Sequence, residues 1–269
     1  MTSRTKLMRK DIVVVLSCAA FALLCLGAVG AGGRKRAKEA VCLSNLRQWG
    51  RIFQIYTNDN DGYFFTGDPG TPGYWWVKQL EECYRDWKRN KSWFCPAAAA
   101  PLIDENGNMT PSPNIFMAWG IYRSSGLGPN GISGSYALNG YMITPQHATT
   151  YEGGVPVADG WGGLNLTNGA NIPLFLEALR FDVWPRHTEE PAVNEYAAWS
   201  SNSMARCCIN RHVGSINAAF ADLSARKVGL KELWKLKWHR SFDTEGPWTS
   251  ARGVQPTDWP LWMRDFKDN

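Results

Sequence analysis

Ile12 to Ala31 reads IVVVLSCAAFALLCLGAVGA, an apolar run with no charged residue. At 1.5 Å per residue, a helix of that length spans about 30 Å, the hydrocarbon thickness of a bilayer. A buried core helix is seldom apolar on every face. The run therefore predicts a transmembrane helix over 12–31. A cleaved secretory signal is the competing reading, with Ala28, Gly30 and Ala31 as the small residues near its end.

Charge placement agrees with a membrane segment. Arg4, Lys6, Arg9 and Lys10 precede the run, and Arg34, Lys35, Arg36 and Lys38 follow it. Together they exceed the net charge of +5, so the remainder of the chain is close to neutral. Basic residues that hug an apolar stretch read as membrane flanks rather than as a nucleic-acid interface, and no nucleic-acid partner is expected. The flanks are equally basic and do not set an orientation. The bulk of the chain, rich in Trp and carrying Cys, suits export. The expected location is thus a membrane, single-pass, with a cytoplasmic N-terminus and an exported domain.

From Arg34 to Tyr56 the pattern changes. Cys42, Leu46, Trp49, Phe53 and Tyr56 recur along one stripe of an amphipathic helix, with charged and amide residues over much of the other face. Asn58 to Gly62 (NDNDG) ends it with turn-forming residues. That segment has part of a calcium-loop pattern, but the downstream Glu such a loop needs is missing. Beyond it the chain is rich in Gly, Pro, Asn and Trp. Short helices are expected at Trp75–Lys88 and Leu174–Leu179, and a strand or bent hairpin at Ser133–Met142. Ile216, Ala218 and Phe220 alternate with small or polar residues before a turn at Asp222–Ser224, a β-hairpin pattern. Lys231–Trp238 reads as a short helix. The tail holds Trp248, Trp259 and Trp262 among three prolines and is expected to wrap the domain.

The boundaries that follow are a basic flank over 1–11, the transmembrane helix over 12–31, its amphipathic continuation over 32–57, a globular domain over 58–241 and a Trp/Pro-rich extension over 242–269. The fold class is α+β: a long N-terminal helix, half membrane-spanning and half amphipathic, packed on an antiparallel sheet, with a Trp-rich loop and the C-terminal extension.

Seven cysteines are present. Cys18 and Cys25 lie in the apolar run. A disulfide between the neighbours Cys207 and Cys208 would be strained. One of them is expected to pair with Cys95 or Cys83 and the other to be buried. No C-x-x-C occurs, so no zinc site is expected, and no cofactor.

Lys38–Phe64 (KEAVCLSNLRQWGRIFQIYTNDNDGYF), Ser92–Pro96 (SWFCP) and Arg211–Trp238 together resemble bacterial pilin-like proteins, of the type II secretion pseudopilin kind, whose globular part carries an H-x9-D-G motif. Here the motif would be His212 to Asp222, with Leu223 in the glycine position. The start departs from that family, since no Gly precedes the apolar run and no Glu stands at its fifth position. The resemblance alone implies that the membrane is bacterial, and it implies a non-enzymatic, membrane-anchored envelope protein with a structural or assembly role in a type II secretion or type IV pilus-like system. The partners it implies are the lipid bilayer and other subunits or copies of itself. No catalytic residue is carried over, and His212 and Asp222 are expected to be structural. An anchored module that binds envelope polysaccharide through exposed Trp and Tyr, notably Trp75, Trp76, Trp161 and Trp199, is the alternative. Two coplanar exposed rings in one cleft would favour it.

Overall fold

The computed structural model describes residues 9–68, 76–80, 87–123 and 131–267; between 9 and 31 only the side chains of Ser17 and Gly30 are described, and that of Ser200 is not. Helix α1 runs Arg9–Asp59. Two units are compact in themselves, Met1–Lys38 and Glu39–Asn269. In the second, α1 buries the stripe read from the sequence. Cys42, Leu46, Trp49 and Phe53 are wholly buried and Tyr56 is half-buried.

The ring of Trp49 is the centre of the core. It lies 4.8 Å from Trp93, 5.5 Å from Trp76 and 5.3 Å from Phe175. Its indole N–H donates to the Ser92 carbonyl at 2.9 Å. A ring with one polar atom is buried cheaply only when that atom finds a partner.

Two sheets cover this core. The smaller contains β1 (Ala100–Pro101), β2 (Met117–Tyr122) and β3 (Ile132–Gly134), in that order. The larger contains β4 (Tyr136–Asn139), β5 (Pro173–Glu177), β6 (Asp182–Val183), β7 (Ser215–Phe220) and β8 (Ala225–Gly229), in the order β6-β4-β5-β7-β8. The architecture is α+β with a long helix on a sheet, but the sheet is mixed, not antiparallel throughout. β4 pairs with β6 in parallel, as β1 does with β2.

The helix expected at Leu174–Leu179 is instead β5, the middle strand of the larger sheet. Every residue of β5 is buried. A strand covered on both faces loses the alternation that marks a half-exposed strand and reads as a plain apolar run. Lys231–Lys235 is a single 3-10 turn, and of the described residues in the expected 75–88 helix Trp76–Gln79 is helical while Leu80, Trp87 and Lys88 lie in turns.

The β7–β8 hairpin closes with a Leu223 N–H bond to Phe220 O and a Phe220 N–H bond to Ser224 O, each 2.9 Å. This matches a type I turn followed by a left-handed residue. Leu223 occupies that left-handed position, at φ 67°. Glycine is the residue that adopts this conformation without strain, which accounts physically for the D-G preference in such a hairpin. Here a leucine takes the strain, half-buried beside Gly50 of α1.

The membrane-anchored reading is corrected. Among the described residues, no helix is long and apolar enough to cross a membrane. Most side chains of Ile12–Ala31 lie outside the described residues. From Gly32 onward α1 carries Arg34, Lys35, Arg36 and Lys38 at exposed positions and Arg47 and Arg51 further along, so charge interrupts each apolar stretch. The single-pass anchor, its orientation, the envelope location and the secretion-system setting are withdrawn with it.

The tail packs on the domain. Trp259 is buried against Trp234 at 5.3 Å, and Trp248 and Trp262 are half-buried. Phe242 meets the ring of His239 at 5.4 Å. His239 is buried, its Nε2 has no hydrogen-bond partner and its Nδ1 lies 3.1 Å from Ser241 Oγ. Burial, the largest influence, lowers its pKa to about 4. The unfolded imidazole titrates near 6.5. Between those values the unfolded chain holds the extra proton, so this contribution is complete above about pH 6.5 and is lost as pH falls to about 4. Denaturant unfolding of wild type should lose roughly 2–3 kcal/mol over that window from this group. His239→Gln should flatten that part of the profile; an unchanged slope would assign it to other groups.

Candidate metal centre

Four donor side chains converge beneath the larger sheet. Cys42 comes from the apolar stripe of α1. Cys95 follows the 3-10 turn Lys91–Trp93. Glu177 is the last residue of β5, and His212 stands in the turn before β7. One ligating atom from each lies within 4.8 Å of all the others, and all four residues are buried. His212 Nε2 is 3.0 Å from Glu177 Oε2 and 3.5 Å from Cys95 Sγ.

Each donor is fixed by its own element. Asn45, three residues along α1 from Cys42, donates to the Phe94 carbonyl at 3.1 Å and ties the helix to the Cys95 loop. The Cys95 N–H donates to Ser135 Oγ at 2.7 Å. The His212 turn is bound by Asn210 Oδ1, which accepts from Gly214 N–H at 2.7 Å. Within that turn Val213 has φ 53°, a left-handed conformation that is a genuine outlier for a β-branched residue. Strain of this kind persists only where the surroundings over-determine it.

A second layer surrounds the donors. Tyr136 Oη donates to Cys42 Sγ at 3.3 Å, and Ala97 N–H donates to Cys95 Sγ at 3.4 Å. Asn217 N–H donates to Glu177 Oε2 at 2.9 Å. Arg211 Nη1 stands 3.8 Å from Glu177 Oε1. The Arg211 guanidinium donates to the carbonyls of Ile115, Met117 and Ser135 at 2.7, 2.8 and 2.9 Å. Such partners orient ligands and tune a bound ion.

The electrostatics describe the metal-free pocket. Burial alone would lower the pKa of His212, but hydrogen bonds to Cys95 and Glu177 and the Glu177 charge raise it to about 10. Burial opposes ionisation of Glu177, yet His212 and Arg211 keep its pKa below the usual value. The hydrogen bond to Cys42, then burial and the Glu177 charge, push the Cys95 thiol up. Glu177 Oε1 has no hydrogen bond although it is completely buried, and both polar side-chain atoms of Asn217 are in the same condition. Most buried polar groups are satisfied, so each of these needs an explanation.

A divalent ion among the four donors fits that observation. Zinc–ligand distances of about 2.0–2.3 Å place tetrahedral donors roughly 3.3–3.8 Å apart. The His212–Cys95 spacing of 3.5 Å lies in that range, the His212–Glu177 spacing of 3.0 Å is shorter, and the others are within 4.8 Å. Two thiolates, an imidazole and a carboxylate suit zinc better than calcium or magnesium, which take oxygen ligands.

His212 and Asp222 do not meet. They stand beyond opposite ends of β7, a six-residue strand about 17 Å long. Asp222 is exposed and its Oδ1 accepts from Ser224 N–H and Oγ at 3.0 and 2.7 Å, within the hairpin turn. The expected disulfide is also corrected. Cys42, Cys95, Cys207 and Cys208 are free thiols. Cys207 Sγ donates to the Met204 carbonyl at 3.2 Å and Cys208 Sγ lies 3.8 Å from Met263 Sδ, so neither reaches Cys95. Cys83 lies outside the described residues.

No family model, no curated protein and no solved structure matches the chain. The resemblance to pilin-like proteins gains no support from these comparisons.

Proposed function

We propose that this chain is a non-enzymatic structural protein whose α+β domain is closed by a buried zinc ion on Cys42, Cys95, Glu177 and His212. The observation that carries the reading is the convergence of four ligand-type side chains from four separate segments, one of them a buried carboxylate with an oxygen that has no hydrogen bond. A structural zinc has four protein ligands, whereas a catalytic one keeps a position for water. Here four donors are present and all are buried. Such an ion ties α1 to β5 and to the entry of β7, and its binding free energy becomes folding free energy.

Sugar binding through tryptophan receives no support from exposure. Among the described residues every Trp is buried or half-buried. Trp161 donates its N–H to the Trp238 carbonyl at 2.8 Å and is covered by Arg240 at 5.0 Å. Trp75 lies outside the described residues.

Elemental analysis of the purified full-length chain should give one zinc per molecule. Glu177→Gln and His212→Ala should each lower that ratio. A zinc-free wild type that also fails to take up added zinc would overturn the proposal.

A further inference from the structure

A second site lies away from the four donors. A cavity of about 650 Å³ opens between the smaller sheet and the β5–β6 connection. Its wall is largely apolar, with Ile103, Ile121, Leu179 and Phe181 among the lining residues. A volume in this range holds a small organic ligand, and such sites combine apolar walls with a few placed polar groups.

Two polar groups on that wall lack partners. Trp199 Nε1 is buried and has no hydrogen bond. The Arg206 side chain is half-buried and makes no hydrogen bond or ion pair among the described residues. Its main chain is fixed, because the Leu179 N–H donates to the Arg206 carbonyl at 3.0 Å. The neighbouring Arg180 does not share this condition. Its guanidinium holds Glu152 at 2.9 and 3.1 Å, and its Nε is 2.8 Å from Asp182 Oδ1. Arg123, exposed at the rim, is a third cation. Three cations thus face two carboxylates. Burial, then the nearby Arg180 charge, lowers the pKa of Arg206 and outweighs the opposing pull of Tyr122, Glu152 and Asp182, as a cation with no acceptor bonded to it should show.

We infer that this cavity binds a monoanionic aliphatic amphiphile, a fatty-acid-type carboxylate, with its chain on the apolar wall and its headgroup on Arg206 and Trp199. A carboxylate supplies both a bonded counter-ion for Arg206, whose nearest carboxylates are held by Arg180, and an acceptor for the Trp199 N–H. An uncharged chain would fill the same wall but leave both donors unsatisfied. The inference is independent of the metal centre.

Isothermal titration of the full-length chain with dodecanoate and with dodecanol tests it. Dodecanoate should bind saturably at one site, and dodecanol about tenfold or more weakly, since bonds to charged groups discriminate at that level. Arg206→Met should weaken dodecanoate by a similar factor and leave dodecanol unchanged. Trp199→Phe keeps the ring, removes the N–H and should weaken dodecanoate by a smaller factor. Equal binding of the two ligands, unaffected by either substitution, would overturn the headgroup assignment. Absence of saturable binding by either ligand would overturn the site.

Discussion

Replacing Cys42 and Cys95 together by serine is expected to lower the midpoint of thermal unfolding by roughly 8–16 °C. The argument is linkage. A ligand that binds only the folded chain at about a thousand times its dissociation constant adds about 4 kcal/mol. For a domain of this size each kcal/mol moves the midpoint by about 2–4 °C. Serine is close to cysteine in shape, so little of the effect comes from packing. A chelator separates the two causes. It should lower wild type to the value of the double variant and leave the double variant where it is. A variant as stable as wild type, with wild type indifferent to chelator, would mean that the four side chains only pack.

Replacing Arg211 by methionine is expected to cost about 3–5 kcal/mol, read by denaturant unfolding. The Arg211 side chain is completely buried and donates to the carbonyls of Ile115, of Met117 at the start of β2, and of Ser135 between β3 and β4. Methionine fills much of the volume but takes the charged donor from the Ile115 and Met117 carbonyls and one of two donors from Ser135, whose carbonyl keeps the Ala178 N–H at 3.0 Å, and it removes the cation beside Glu177. Lysine should not rescue the loss, because one ammonium cannot reproduce the planar fork that reaches all three carbonyls. A cost below about 1 kcal/mol would show that water or neighbouring groups replace those bonds.

Much of the frame is legible in the sequence. The stripe on α1 is set by helical spacing, and its members are buried in the fold. The β7–β8 hairpin follows from alternation and a short turn, both local signals. The tail tryptophans have no other place to bury their rings. The apolar run at 12–31 misleads because bilayer-like composition is a local property and the outcome is not. Leu174–Leu179 misleads for a related reason. A middle strand, covered on both faces, has the composition of a helix and lacks the period of an exposed strand.

The metal centre is less legible. Short-range ligand pairs such as C-x-x-C announce many zinc sites, whereas Cys42, Cys95, Glu177 and His212 are distant in the chain. Cys42 sits in an apolar stripe, where a cysteine passes for a small hydrophobe. Glu177 is the one local hint. A carboxylate in a run of apolar residues must find a partner or an ion when the run is buried. Cys207 and Cys208 are neighbours in the chain, yet Cys207 bonds the Met204 carbonyl and Cys208 meets Met263 instead of forming a cross-link.

The most direct test of the central claim is cobalt(II) titration of the zinc-stripped, full-length chain, followed by absorption spectroscopy. The account predicts saturation at one equivalent, a thiolate-to-cobalt charge-transfer band and intense d–d bands of a tetrahedral site, all displaced by zinc and absent from the Cys42→Ser, Cys95→Ser chain. A spectrum without thiolate bands, with Cys42 and Cys95 recovered as a disulfide or as unliganded thiols, would contradict it.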